Sequence, residues 1–305
     1  LLDHLDDQVG VWKLKDVNDA VMGGYWRDAN TIGLFGGGND GSLSKTVNKI
    51  NIAASGNATD FGDLSVARAN LASYGNFTRA CFIGGEAPSV SNVIDYATYN
   101  TEGNFADFGD STYSAQHLTA TSNTIRGLTA GGETPSITNA INYVTLSSTG
   151  NATDFGDLTQ SRTTLGSMAS PTRAVFTGGH TPSEVNTCDF VEIMTTGNAA
   201  DFAHATNDER TTAGFGNDVY AFWAGGNTTT IDRLTNASGG TATDFGDLTQ
   251  ASSRSCGISN NVRGIVVGGD RVSPDNFTVI EYVTMASTGN AIDFGDTNVA
   301  AKETY

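Results

Sequence analysis

The residues of this chain with chemistry to offer are four histidines, three cysteines and a recurring set of aspartates. In the stretch Thr149–Arg162, TGNATDFGDLTQSR, Asp154 and Asp157 stand three apart on either side of a glycine. Calcium loops alternate their ligands at every second residue, so a spacing of three does not match them. Carboxylates flanking a glycine are instead expected to accept turn amides. His4, His117, His180 and His204 fall at unrelated places in the chain, and no histidine metal cluster is expected. Cys81, Cys188 and Cys256 are odd in number and irregular in spacing, which gives neither a disulfide framework nor a metal site. They are expected as small buried strand residues. No Ser/His/Asp arrangement is singled out. The reading is of a non-enzymatic protein without cofactor or metal.

The elements that hold these residues announce themselves by repetition. Asp-Phe occurs at Asp60-Phe61, Asp107-Phe108, Asp154-Phe155, Asp201-Phe202, Asp244-Phe245 and Asp293-Phe294, at spacings of 47, 47, 47, 43 and 49. Gly-Gly keeps the same beat at Gly37, Gly84, Gly131, Gly178, Gly225 and Gly268. Two markers with one period define a six-fold repeat, and a period of about 40–50 residues belongs to a propeller or solenoid. In the clearest copy, Gln160–Ser170 and Glu184–Met194 alternate, Thr172–Thr177 is a β-branched and aromatic run stopped by Gly178-Gly179, and Asp154-Phe155 or Asp201-Phe202 marks a fourth segment. Four short strands with glycine punctuation make one antiparallel blade, and six blades in a ring leave only short edges. The expected fold is all-β: a six-bladed β-propeller over residues 16–305, preceded by an N-terminal arm over 1–15. Either Val21–Asp28 or Val299–Tyr305 is expected to complete the first blade.

Composition agrees with this fold and removes several functions. Of 305 residues only 16% are charged, 37 are Gly, and Thr, Asn and Ser abound, a profile of strands and tight turns. A net charge of −17 argues against electrostatic binding to nucleic acid or an anionic membrane and favours solubility, cationic partners or metal ions. No stretch approaches the ~18 apolar residues of a membrane span. LLDHLDDQ carries neither an initiator Met nor a signal peptide, and the chain is expected to begin inside a longer polypeptide.

Each repeated residue has a physical reason. Gly-Gly ends a strand where the backbone must turn away through φ > 0. The Phe of Asp-Phe is a large apolar wedge between neighbouring blades. Arg79, Arg126, Arg173 and Arg263 recur before the Gly-Gly strand, and the repeated aspartates are their expected partners, since a buried arginine needs a carboxylate.

The order of an arginine, an apolar strand ending in Gly-Gly, Asn-x-Ile-x-Tyr and an aromatic resembles the kelch repeat. Asn92-Val93-Ile94-Asp95-Tyr96 and Asn139-Ala140-Ile141-Asn142-Tyr143 carry its middle, and Val279-Ile280-Glu281-Tyr282 is a looser version. Phe61, Phe108, Phe155, Phe245 and Phe294 stand where kelch blades usually place a tryptophan. The TGNATDFGDLT phrase and the lead-in GVWKLKDVNDA at 10–20 are similar to kelch-like repeat proteins of tailed bacteriophages, particularly virion proteins of marine and cyanobacterial phages. The Ser-x-Asp-x-Gly-x-Thr-Trp boxes of sialidase-like propellers are missing, as are the Tyr and Cys ligands of the kelch-containing copper oxidases. The resemblance implies a virion surface protein in many copies, a tail fibre, spike or appendage, held to other virion proteins by its arm and binding a host-surface glycan or receptor. An architectural capsid or tail decoration protein is the alternative. A glycan-degrading enzyme ranks third, because it needs clustered carboxylates in one concave site.

The candidate binding face follows from irregularity. The loop after Gly-Gly reads NDGSLSKTV, EAPSVS, ETPSIT, HTPSEV, NTTT and DRVSPDNFT across the six copies, and repeat proteins place such variation on one face. This selects Glu86, Glu133, His180, Asn227, Asp270 and Arg271, with Trp223 and Phe277 as aromatics for stacking on sugars. Six Asn-x-Ser/Thr sequons, at Asn57, Asn76, Asn151, Asn227, Asn236 and Asn276, read as turn chemistry.

Overall fold

The computed structural model of the chain describes residues 31–39, 41–210, 212–271 and 278–298. The arm over 1–15, the start of the repeat at 16, both expected routes for completing the first blade and Phe277 lie outside the described residues. Among the described residues every regular element is a strand, and none forms a helix long and apolar enough to cross a membrane.

The strands form six antiparallel blades in a propeller. Blade two shows the pattern: Ala72–Gly75, Arg79–Ile83, Val93–Thr98 and Ala106–Asp110 pair in that order. Blades three to six repeat it, their innermost strands being Thr119–Ser122, Gly166–Ala169, Thr212–Gly216 and Cys256–Ser259. Blade one contributes Ile32–Gly36, Thr46–Asn51 and Thr59–Asp63, the equivalents of strands two to four. The alternating run from Gln160 thus supplies only four residues of strand, because its first half is spent crossing from blade three to blade four.

The Phe of each Asp-Phe enters the core through a β-bulge. In blade two Val93 faces Asp110, Ile94 faces Gly109 and Asp95 faces Asp107, so Phe108 is the residue skipped. The same shift recurs in the other five blades. A bulge re-aims the extra side chain, and here it sends Phe108 between blades two and three, where it packs with Ile94 and Leu118. Six such hydrophobic clusters occupy the six junctions, each shared by two blades. One of them joins Phe35 and Ile50 of blade one to Cys256 and Phe294 of blade six, closing the ring.

Glycine is required at two marks of the repeat. Gly84 and Gly85 have φ of 65° and 90°, and a Cβ on them would lie 2.7 Å from Ala115 O and 2.6 Å from Ala69 O. The Gly of Asp-Phe-Gly-Asp lies under the Gly-Asn of the next blade. Gly150 N donates to Phe108 O at 2.7 Å, Ala152 N donates to Asp110 O at 2.8 Å, and Asn151 Oδ1 accepts from Asp110 N at 3.1 Å. The phrase TGNATDFGD is therefore a blade-to-blade latch. It is Asn, not Asp, that caps the amide; Asp154 is exposed, and Asp63 instead pairs with Lys45 at 3.0 Å. The latch repeats at five junctions, including blade six to blade one through Asn57 and Asp296. Between blades four and five three residues change together. Ala203 replaces the Gly, His204 the Asp and Thr241 the Asn, and a short parallel bridge pairs Ala203 with Gly240 and His204 with Thr241.

The recurrent arginines have other partners than the sequence suggested. Arg79, Arg126 and Arg263 lie over the rings of Tyr96, Tyr143 and Tyr282 at 5.0, 4.3 and 4.5 Å, and Arg173 over Phe190 at 5.0 Å. Their Nη1 atoms donate to main-chain carbonyls of the next blade, such as Leu146 O for Arg79 and Ile193 O for Arg126. These arginines stay partly exposed, so a ring face and a carbonyl suffice and no buried carboxylate is needed. Arg173 alone of the four adds a carboxylate, Glu192 at 2.7 Å. Blade five confirms the pairing by exchange: Tyr220 takes the arginine position, and Arg233 takes the tyrosine position 4.8 Å from its ring. Arg126→Leu is expected to cost about 1 kcal/mol, measured as a lower denaturation midpoint at unchanged m-value.

The buried arginines are Arg68 and Arg162, both almost fully enclosed. Arg162 Nη2 donates to Asp189 at 2.6 Å, and its Nη1 donates to Gly178 O and Thr187 O at 2.7 and 2.8 Å. Arg68 does the same with Asp95, Gly84 O and Val93 O. Blade three has Ala115 at this position. There Tyr113 Oη serves the two equivalent carbonyls, Gly131 O and Ala140 O, and the acid has become Asn142.

The three cysteines are buried in strands, as expected. Burial pushes the Cys81 and Cys188 thiols up to about 12. Both are expected to resist iodoacetamide at pH 8 in the folded protein and to react once it is unfolded, as read by mass spectrometry.

Candidate functional site

The described loops after Gly-Gly open on one face of the ring, because connections in an up-and-down sheet alternate sides. In blades two, three, four and six the residue after Gly-Gly folds back onto the chain that leads into the innermost strand of its own blade, whereas in blade five Asn227 N donates to Ser252 O on the chain leading into blade six. Glu86 bridges Ala69, Glu133 bridges Gln116, and His180 bridges Thr163. Asp270 and Arg271 pair with Ser253 and Ser252. Glu86, Glu133, His180 and Asp270 are thus brought to equivalent places around the ring. Glu86 and Asn227 are exposed, while Glu133, His180 and Asp270 are half-buried.

Next to these residues lies a second ring that the sequence did not disclose. Asn70, His117, Thr164 and Arg254 turn the chain into the innermost strands with φ of 54°, 54°, 57° and 57°. A β-branched residue such as Thr164 is rare in that conformation and is held there by its surroundings. His117 N donates to Asn70 O at 2.9 Å, and Thr164 N donates to His117 O at 2.8 Å, linking successive blades. His117, Thr164, Thr212 and Arg254, with Leu118 and Leu165, line a cavity of about 10 Å³, room for one water.

The two rings are joined by polar contacts. Glu133 Oε1 accepts from Gln116 Nε2 at 3.1 Å and lies 3.9 Å from His117 Nε2. Arg254 Nη1 lies 3.3 Å from Asp270 Oδ2. Carboxylates, an imidazole, a guanidinium and hydroxyls therefore alternate around the mouth, a surface suited to hydroxyl-rich ligands. Among the described residues no three of His, Cys, Asp or Glu converge on a point that would hold a metal. A hollow of about 160 Å³ lies elsewhere, beside Tyr282, Thr284, Thr288 and Asn290 of blade six.

Trp223 does not belong to this face. It is 1% exposed, packed with Met168, Val175 and Cys188 between blades four and five, and no sugar can stack on it. Its strand, Tyr220–Gly225, is covered on both sides by neighbouring blades, so nearly every residue is buried. Among the described residues the exposed aromatic is Phe77, at a hairpin tip between strands one and two, on the opposite face. Ile125, Val219 and Val262 occupy the same hairpins of blades three, five and six and are also exposed.

A ring of antiparallel blades with bulged outer strands and arginine–aromatic pairs defines the class of this chain: a six-bladed β-propeller. It is similar to the solved structure of YjhT, with a TM-score of 0.69 at 12% identity, over 84% of this chain and 92% of that one. At that identity the likeness is one of fold. No protein-family model matches the chain, and no curated protein matches it in sequence.

Proposed function

We propose that this propeller is a non-enzymatic binding module on the surface of a tailed-phage particle, and that it engages a host-surface glycan through its loop face. The observation that carries the reading is the contrast between the two parts of the repeat. The latch Gly-Asn…Asp-Phe-Gly-Asp is kept at five junctions, while the loop after Gly-Gly differs in every blade. Variation among the loops of one face of a repeat scaffold supports recognition there. The alternation of carboxylate, imidazole, guanidinium and hydroxyl groups there supports a polyhydroxylated ligand, and many copies on a particle strengthen weak sites through multiplicity. The phage origin rests on the phrases TGNATDFGDLT and GVWKLKDVNDA.

The triple variant Glu86→Ala, Glu133→Ala, His180→Ala tests the reading. Binding to host-surface polysaccharide is expected to fall by about tenfold, or about 1.4 kcal/mol, with the melting temperature close to wild type. Unchanged binding would remove the loop face as the site. A second reading, an architectural decoration protein, is favoured by the exposed Phe77, Ile125, Val219 and Val262 on the opposite face, where a particle surface would cover them.

A further inference from the structure

Each blade carries a slot where the chain entering its innermost strand crosses the third strand. In blades two to six the slot holds a buried acid or amide from the third strand: Asp95, Asn142, Asp189, Asp232 or Glu281. A Ser or Thr of the crossing chain caps it: Ser65, Thr112, Thr159, Thr206 or Thr249. Facing the acid in blades two and four are Arg68 and Arg162, one positive charge against one negative.

Blade five breaks this balance. Forty-seven residues after Arg162 the same position is Glu209, 5% exposed, with Asp232 of the third strand 1% exposed. The Thr206 cap on Asp232 is intact, its Oγ1 donating to Oδ2 at 2.6 Å. Glu209 Oε1 and Asp232 Oδ1, both enclosed, accept no hydrogen bond. Replacing an arginine by a glutamate changes the slot from neutral to doubly negative, and two enclosed like charges are not tolerated without compensation.

We propose that a divalent cation with a preference for oxygen ligands, of the calcium or magnesium type, occupies the blade-five slot between Glu209 and Asp232, in the place the arginine guanidinium holds in blades two and four. Two positive charges restore the neutrality of the sister slots. The donors are all oxygen, which selects a hard cation: the two carboxylates, the carbonyls of Gly225 and Thr230 that correspond to Gly178 and Thr187, and water. Gly225 O already accepts from Thr228 Oγ1 at 2.8 Å, leaving one lone pair for a metal. The position is mechanically apt, because this is the junction where the Gly-Asn latch is altered. A proton is the competing occupant: burial, reinforced by Asp232, pushes the Glu209 carboxyl up to about 9.

The test uses the full chain stripped with a chelator and then dialysed. Thermal unfolding is followed at pH 8 while CaCl2 or MgCl2 is titrated in, against NaCl at matched ionic strength. The melting temperature is expected to climb with the logarithm of divalent concentration, and the climb is lost in Glu209→Gln and Asp232→Asn. Glu209→Arg, which rebuilds the slot of blades two and four, is expected to melt at or above the cation-loaded wild type and to ignore both ions. This variant keeps the test decisive if the neutral substitutions fail to fold. A wild-type melting temperature indifferent to both ions would overturn the proposal and leave a proton in the slot. A divalent response that persists in Glu209→Arg would overturn it equally, by placing the ion on the acidic surface.

Discussion

Arg162→Ala is expected to lower the unfolding free energy by about 3–5 kcal/mol, the cost of leaving one member of a buried ion pair behind. Asp189 would keep only its Thr159 contacts in a fully enclosed site, and the carbonyls of Gly178 and Thr187 would lose the donor they share. The repeat also contains the remedy. Blade three has no arginine here and needs none, because Asn142 replaces the acid and Tyr113 Oη reaches both carbonyls at 2.9 and 3.3 Å. Tyr113 corresponds to Gln160 in blade four. The triple variant Gln160→Tyr, Arg162→Ala, Asp189→Asn is therefore expected to recover most of the loss, whereas Arg162→Ala with Asp189→Asn alone recovers part of it. Equilibrium denaturation of the three variants measures both steps. A triple variant no more stable than the single one would show that the slot is not the self-contained unit described.

Gly109→Ala is the second large effect. The glycine has a φ of 146°, and an added Cβ would lie 2.5 Å from Gly150 O and 2.9 Å from Asn151 N. The blocking atoms are backbone of the next blade and cannot rotate away. Backbone strain of about 1–3 kcal/mol and overpacking of similar size give an expected loss of roughly 2–5 kcal/mol. The damage should be local. Hydrogen exchange should accelerate first at the amides of Gly150 and Ala152, which donate across this junction, ahead of those inside blades five and six. Blade four is the natural contrast: Ala203 is tolerated because its junction is laid as a short parallel bridge and Ala203 carries no positive φ.

The fold was legible because its markers sit at the junctions. Gly-Gly and Asp-Phe-Gly-Asp repeat where backbone meets backbone between blades, and such contacts admit few residue types. The arginines were harder. Charge alone paired Arg79 and Arg126 with the repeated aspartates, yet Tyr96 and Tyr143 were already visible one strand away in the same repeat. The exchange of Tyr220 and Arg233 in blade five was the signal for that pairing. Arg68 and Arg162 stand 94 residues apart, in alternate blades only, so a search at the single period passes over them; the joint change to Ala115, Tyr113 and Asn142 would have exposed the slot. At the candidate site, the irregular loops chosen from the sequence place Glu86, Glu133, His180 and Asp270 at equivalent positions of the ring. Loop irregularity could not find His117, Thr164 and Arg254, whose common feature is a backbone angle rather than a residue type. Trp223 was misplaced because proximity to a loop in sequence says nothing about a strand buried on both faces.

The measurement that tests the central claim most directly is adsorption of the purified, fluorescently labelled propeller to a panel of candidate cyanobacterial cells, with and without periodate oxidation of the cell surface. Saturable binding that periodate abolishes, and that the loop-face triple variant loses, is the predicted result. Absence of binding across the panel, at concentrations high enough to register weak sites, would contradict the glycan-binding account and leave the propeller as an architectural part of the particle.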